Sequence, residues 1–405
     1  IYNKISEMID IIKIILILFL IIFLLKKKMN IGYVMLIASL ILFILYLMPF
    51  PLIIKTLKQS IINDVTIKLF LALTLIRIFE MILREHDILK NMMDSIKIIF
   101  KKRKLITISM PLLIGLMPSV GGAYFSAPMV AETTKDLKIS PEEKSFINYW
   151  FRHPWEFILP LYPGIVLASA ITKIELHNLI SANLLFAFLM LTTGFLFSMK
   201  GLRGSIDKQT DISKKGLWSF APIISVLCFV LILHVELHLS LLIVITFLLV
   251  FYKYKPDKIF SVIKHGFSLE ILILIFGVML FKETLESSGA VSNLSRFFIK
   301  EGVPLIPILF LLPFITGFLT GITVGFVGST FPLIINITNT NSINIISFAF
   351  ASGFLGVLLS PVHICLILTK EYFKADMAGI YKIMITPCIV VMVGALIEYL
   401  ILTIP

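Results

Sequence analysis

The chain reads as an all-α polytopic membrane protein: about ten transmembrane helices in two inverted repeats, each with a re-entrant helical hairpin and a broken helix. Three observations predict this class. Apolar runs of roughly 20 residues recur along the chain, the length a helix needs to cross a bilayer. Charged residues make up only 15% of the chain and mean hydropathy is +1.01, whereas about a quarter of the residues in soluble domains are charged. Finally, two Gly-rich stretches closed by proline interrupt apolar surroundings, Gly115-Leu-Met-Pro-Ser-Val-Gly-Gly-Ala-Tyr-Phe-Ser-Ala-Pro128 and Gly317-Phe-Leu-Thr-Gly-Ile-Thr-Val-Gly-Phe-Val-Gly-Ser-Thr-Phe-Pro332. Breaks of this kind bare peptide groups that hydrocarbon cannot solvate, so they persist only inside protein or beside a wet cavity. Paired in two halves, they mark a transporter site.

In chain order, spans are expected near 10–25, 31–49, 64–83, 149–168, 177–199, 217–235, 238–252, 267–283, 343–369 and 384–402. The run 10–25 is followed by Lys26, Lys27 and Lys28 with no small-residue cleavage site, so it is read as a retained span. Two apolar segments remain, 105–131 and 304–335, and both are read as re-entrant hairpins because each carries a Gly-rich stretch at its middle. Charge supports that choice. With hairpins, loops 26–28, 84–104, 133–148, 199–216, 253–266 and 370–382 lie on one side and carry most of the 36 Lys and Arg; the other side holds Lys4, Lys55, Lys58, Lys173, Arg296 and Lys300. The basic side is cytoplasmic. The stretch 88–104 alternates apolar and cationic residues at near-helical spacing, as an interfacial helix does.

The first repeat is therefore 1–199, with its hairpin at 105–131 and broken span at 149–168; 200–216 is a cytoplasmic linker; the second repeat is 217–405, with its hairpin at 304–335 and broken span at 343–369. Pro128 and Pro332 close the two signatures, and Pro160 and Pro361 break the spans that follow.

Substrate-binding candidates gather at these breaks. Gly121, Gly122, Gly325 and Gly328 let the backbone turn and approach a ligand, while Ser119, Ser126, Thr323, Ser329 and Thr330 supply hydroxyls. The alternative for the same residues is close packing between helices. In the broken spans, proline removes a backbone donor and frees a carbonyl one turn away. Tyr162, Ser360 and His363 stand beside those prolines. His363 also titrates near neutrality when unperturbed. Charges within spans face a cavity or a partner. Arg77 and Glu80 are three apart and Arg152 and Glu156 four apart, spacings of helical ion pairs. The functional alternative makes Arg152 an anion-attracting residue and Glu156 a proton or cation site. Lys282 and Glu283 are expected at the membrane surface, where their span ends.

The stretches Met117-Pro-Ser-Val-Gly-Gly-Ala-Tyr-Phe-Ser-Ala-Pro128 and Phe151-Arg-His-Pro-Trp-Glu-Phe-Ile-Leu-Pro-Leu-Tyr-Pro-Gly164 resemble the integral membrane family catalogued as domain of unknown function 401. The architecture resembles the ion transporter superfamily, which includes the divalent anion–sodium symporters and gluconate permeases. That resemblance implies hairpin tips and broken spans enclosing a midplane site, elevator-like alternating access and a homodimer. Where the dicarboxylate symporters carry Ser-Asn-Thr at both tips, this chain has Ser119-Val-Gly-Gly and Gly328-Ser-Thr330. Neither dicarboxylate specificity nor sodium coupling is inferred from it.

The expected function is secondary active transport of a small, anionic organic solute across the cell membrane, with Na+ or H+ as the coupling ion and no other cofactor. A lipid-carrier translocase and a passive channel of the same fold are the alternatives. The formal charge of +12 lies in short clusters between apolar runs rather than on one face, so nucleic acid is not an expected partner. A phosphate-binding Gly-x-x-x-x-Gly-Lys-Ser/Thr loop, a His-Glu-x-x-His pair and paired intramembrane Asp are all absent from the sequence, and no enzyme is expected. Cys228, Cys365 and Cys388 lie in apolar runs without metal-ligand spacing and are read as packing residues; no metal site is expected.

Overall fold

The computed structural model describes residues 2–27, 29–99, 102–118, 122–197, 218–289, 304–338 and 342–403, with single positions 202, 216 and 340. These residues fold into helices joined by turns. In order they are α1 (Tyr2–Lys26), α2 (Ile31–Leu45), α3 (Phe50–Ile62), α4 (Asp64–Glu85), α5 (Ile88–Ile99), α6 (Arg103–Ile114), α7 (Gly122–Thr133), α8 (Pro141–Trp150), α9 (Trp155–Ile158) and α10 (Pro163–Thr172). Next come α11 (Leu176–Phe197), α12 (Ala221–Leu227, prolonged by a π-helical turn Cys228–Ile232), α13 (Leu237–Phe251), α14 (Pro256–Gly266) and α15 (Leu269–Ser287). The last are α16 (Leu305–Thr320), α17 (Thr323–Thr338), α18 (Ile343–Leu358), α19 (Ile364–Phe373) and α20 (Met377–Thr403). The linker 200–216 lies outside the described residues apart from Leu202 and Gly216.

Among the described residues, three stretches are long and apolar enough to cross a bilayer: Pro141–Thr172, Leu176–Phe197 and Met377–Thr403. The pair α14 and α15 counts as a fourth if taken as one span. Six further apolar helices have 10–17 residues, shorter than the roughly 30 Å hydrocarbon core requires at 1.5 Å per residue. Large apolar side chains stand on the outside of these helices, among them Phe19, Ile44, Phe247, Phe251 and Ile401. A water-soluble surface does not carry so much exposed hydrocarbon, whereas lipid accommodates it. The protein is an all-helical membrane protein with several long apolar helices.

The chain forms two compact units, neither of which is one half of the sequence. The first comprises Ile1–Thr74, Val166–Glu175 and Phe267–Ser360; the second comprises Leu75–Ile165, Leu176–Gly266 and Pro361–Pro405.

In the first unit, α2 lies on α15, and α16 on both α17 and α18. Small residues permit the approach. A Cβ on Gly32 would meet the Ile273 carbonyl at 2.5 Å, and one on Gly317 would run into Gly353 O. Close backbone approach of this sort replaces the missing hydrophobic drive between helices in lipid. Gly321, at φ +65°, turns the chain between α16 and α17, a conformation that glycine adopts without a Cβ penalty. Phe326, Phe331 and Phe350 fill the core in edge-to-face contacts. Lys282 and Glu283 are buried against their neighbours: Lys282 Nζ reaches Glu286 Oε1 at 2.8 Å and Glu283 Oε1 at 3.4 Å. The i,i+4 spacing on α15 supplies the partner that makes this burial tolerable.

In the second unit, α6 packs on α7, α8 on α7, α19 and α20, and α11 on α9 and α20. The expected interfacial helix is α5, and it is shorter than expected: it ends at Ile99, and Arg103 already opens α6. A capping box opens α8, with Ser140 Oγ accepting from Glu143 N and Glu143 Oε2 accepting from Ser140 N. Pro141 follows at the first helical position, where its lost N–H costs nothing. Gly194 on α11 leaves room for the Trp150 ring, whose Nε1 donates to Met190 O at 2.8 Å.

Candidate functional site

The second unit contains a break that extends from the end of α8 to the start of α10. Three prolines in the sequence dictate it. Pro154 begins the four-residue α9, Pro160 cannot donate to continue it, and Pro163 opens α10. The other broken span parts between Leu358 and Ile364, where Pro361 likewise lacks a donor.

Orphaned peptide groups in such breaks must find side-chain partners, and here they do. Tyr162 OH donates to Gly115 O at 2.6 Å, Trp155 Nε1 to Leu112 O at 2.6 Å and Asn183 Nδ2 to Phe157 O at 3.2 Å. The first two tie the C-terminal end of α6, the base of the first Gly-rich stretch, to the broken span. Gly115 is obligatory there, since a Cβ would collide with Arg152 O. Asn148 Nδ2 donates to Ala123 O on α7 and to Thr369 Oγ1 on α19, each at 3.0 Å. The first Gly-rich stretch, the first broken span and the C-terminal part of the second broken span thus meet in one unit.

At that meeting point lie four groups that can titrate or carry charge. Arg152 is 3% exposed, His153 2%, Glu156 8% and His363 8%. Arg152 Nη1 donates to Cys365 Sγ at 2.8 Å, linking residues far apart in sequence. His153 Nε2 and His363 Nε2 are 3.2 Å apart, and Glu156 Oε1 is 3.9 Å from His153 Nε2. His153 Nδ1 lies 2.6 Å from Tyr149 O. A carbonyl only accepts, so Nδ1 carries a proton, and in the neutral form of the ring the Nε2 lone pair faces His363. Tyr149 packs against both rings, at centroid distances of 4.5 Å to His153 and 5.6 Å to His363.

The residues expected from the sequence fall into separate groups. Arg152, Glu156, Tyr162 and His363 come together in the second unit. Tyr162 uses its hydroxyl on Gly115 O. Gly122 and Ser126 lie in the same unit on α7, both buried; Ser126 Oγ reaches Ala123 O at 3.4 Å and Gly122 O at 3.5 Å. Ser119 and Gly121 lie outside the described residues. Thr323, Gly325, Gly328, Ser329, Thr330 and Ser360 belong to the first unit. There, a Cβ on Gly328 would come within 2.9 Å of Val278 Cγ2, and one on Gly325 within 2.9 Å of Thr320 Oγ1. Ser329 Oγ and Thr330 Oγ1 donate to Gly325 O and Phe326 O, each at 2.7 Å, within α17 itself. Arg77 and Glu80 have different partners: Arg77 Nη2 donates to His265 O at 3.3 Å and Glu80 is paired with Arg84 at 2.6 Å. The i,i+4 reach along α4 competes better for Glu80 than i,i+3.

Two members of the cluster, His153 and Cys365, were not singled out by the sequence. Their signal was present: each broken span has a histidine within two residues of a proline, His153-Pro154 and Pro361-Val-His363, and Cys365 follows two residues later.

No curated protein matches the chain. The family described as a protein of unknown function (DUF401) matches residues 9–402, and the chain belongs to that family.

Proposed function

We propose that the protein is a secondary active transporter of a small anionic organic solute across the cell membrane. It is coupled to Na+ or H+, works by elevator-like alternating access and acts as a homodimer. The observation that carries this reading is the guanidinium of Arg152, buried within a broken span that Tyr162 and Trp155 tie to the carbonyls of Gly115 and Leu112 on α6 and that Asn183 holds at Phe157 O. A buried cation in a membrane protein is expensive and is retained where a charge is to be met. Breaking the helix in front of it keeps a substrate carboxylate or phosphate from having to thread between continuous spans.

The test is uptake by proteoliposomes containing the purified protein, across panels of dicarboxylates, sugar acids and phosphorylated compounds, with and without imposed sodium or proton gradients. Gradient-driven accumulation of an anion, abolished in Arg152→Gln, is the expected result. Flux indifferent to both gradients indicates a channel. Absence of solute flux together with movement of lipid-linked headgroups indicates a lipid-carrier translocase.

A further inference from the structure

We propose that His153, His363 and Cys365 bind a divalent transition-metal ion of the zinc class, with Glu156 as the fourth ligand. One ligand atom from each of His153, His363 and Cys365 lies within 4.8 Å of the others. The imidazole geometry is specific: nitrogens about 2.0–2.1 Å from a tetrahedral zinc ion stand roughly 3.3 Å apart, and the two Nε2 atoms are 3.2 Å apart. The tautomer is right as well. His153 spends Nδ1–H on Tyr149 O, the outer-shell arrangement that fixes a metal-binding imidazole with its other nitrogen bare. Glu156 Oε1 stands 3.9 Å from His153 Nε2 and outside the cluster of the other three, so it joins the site by turning its side chain toward the ion. Imidazole, thiolate and carboxylate together suit zinc, and their softness disfavours magnesium or calcium.

Arg152 does not oppose the site. Its N–H points at the Cys365 sulfur at 2.8 Å, as a donor to a metal-bound thiolate does. Binding forms bonds from the metal to the sulfur and to both Nε2 atoms; the proton that His363 Nε2 donates to His153 shifts to His363 Nδ1, and the proton of any thiol form leaves to solvent. The thiolate and the Glu156 carboxylate together balance the two charges of the ion, which leaves Arg152 as the net positive group. The inference concerns an ion held by the protein and does not depend on what the protein transports.

Cobalt(II) titration of the full-length protein, purified in detergent after chelator treatment, tests the proposal without any flux measurement. The expected result is a thiolate-to-cobalt charge-transfer band that saturates at about one ion per chain. Cys365→Ser abolishes the band, and Cys228→Ser and Cys388→Ser retain it. His153→Gln and His363→Gln each weaken binding by more than the roughly 10–100-fold typical of outer-shell changes. A band that survives Cys365→Ser overturns the proposal. So does its absence in the wild-type protein, which leaves an imidazole–imidazole hydrogen bond only. If Cys365→Ser does not fold, the wild-type protein still decides: zinc must slow alkylation of Cys365, read by mass spectrometry with Cys228 as reference, and a chelator must restore it. Equal alkylation rates with and without zinc overturn the proposal.

Discussion

Tyr162 and Ser329 illustrate how a hydroxyl's partner decides what the residue is worth. Tyr162 OH supplies a donor to Gly115 O, a carbonyl at the end of α6. Tyr162→Phe leaves that oxygen buried and is expected to cost about 1–3 kcal/mol, measured as a lower midpoint of thermal unfolding in detergent. Ser329 Oγ instead adds a second bond to a carbonyl within its own helix. Ser329→Ala is therefore expected to lie within about 0.5 kcal/mol of wild type; a large loss of stability would show that the hydroxyl serves a partner outside α17. Arg152 and Arg77 form a similar contrast. Arg152 is buried against Cys365, and Arg152→Ala is expected to cost about 3–5 kcal/mol by removing one side of a buried polar contact. Arg77 holds a single carbonyl at 3.3 Å, so Arg77→Ala is expected to cost no more than about 1 kcal/mol.

At the scale of elements, the helices of the first unit are held by backbone contact, so the tolerance for added volume is small. Gly317→Ala places a methyl group against Gly353 O on α18 and is expected to cost about 1–3 kcal/mol through overpacking. Gly289 has φ +74° and no described atom within 4 Å of where a Cβ would stand, so Gly289→Ala is expected to cost about 1 kcal/mol, the strain of a non-glycine residue in the left-handed region. Thermal unfolding of the two variants in parallel checks the ranking. In the second unit, the end of α4 is tied to α14 through Glu85, which accepts from Tyr254 OH at 2.6 Å and pairs with Lys258. Its carboxyl is held below the usual range, first by the Lys258 hydrogen bond and then by that of Tyr254. A carboxylate favoured in the fold stabilises above its unfolded pKa and loses that contribution as pH falls through its lower folded pKa. Glu85→Gln is therefore expected to flatten the acid limb of the stability profile and to leave the profile near pH 9 parallel to wild type; an unchanged acid limb would show that solvent screens the contact.

For the whole molecule, length and polarity of the helices argue for a bilayer, and the order of their charges sets orientation. If 105–131 dips in and returns, cysteines introduced at Arg103 and Glu132 react with an impermeant maleimide from the same side of the membrane. Reaction from opposite sides would make this segment a crossing and reverse every loop after it. The two compact units draw on both halves of the chain. The second broken span is even divided between them, with α18 up to Ser360 in one and α19 in the other.

Sequence alone marked where the apolar helices lie, because apolar length and proline position are local properties: each expected span from 10–25 to 384–402 contains a helix and the chain is interrupted at Pro160 and Pro361, whereas α3 and α14 lie in stretches read as loops. It also marked Arg152, Glu156, Tyr162 and His363 as residues whose burial needed an explanation. The partners were decided by tertiary structure. Cys365 looked like a packing residue because its neighbours in the chain are apolar, and only closure of α19 onto α8 brings it against Arg152 and the two histidines. Likewise, only the structure shows that the hydroxyls of Ser329 and Thr330 donate to carbonyls one turn earlier in α17. What a side chain touches across more than two hundred residues depends on helix packing, which hydropathy and spacing do not encode.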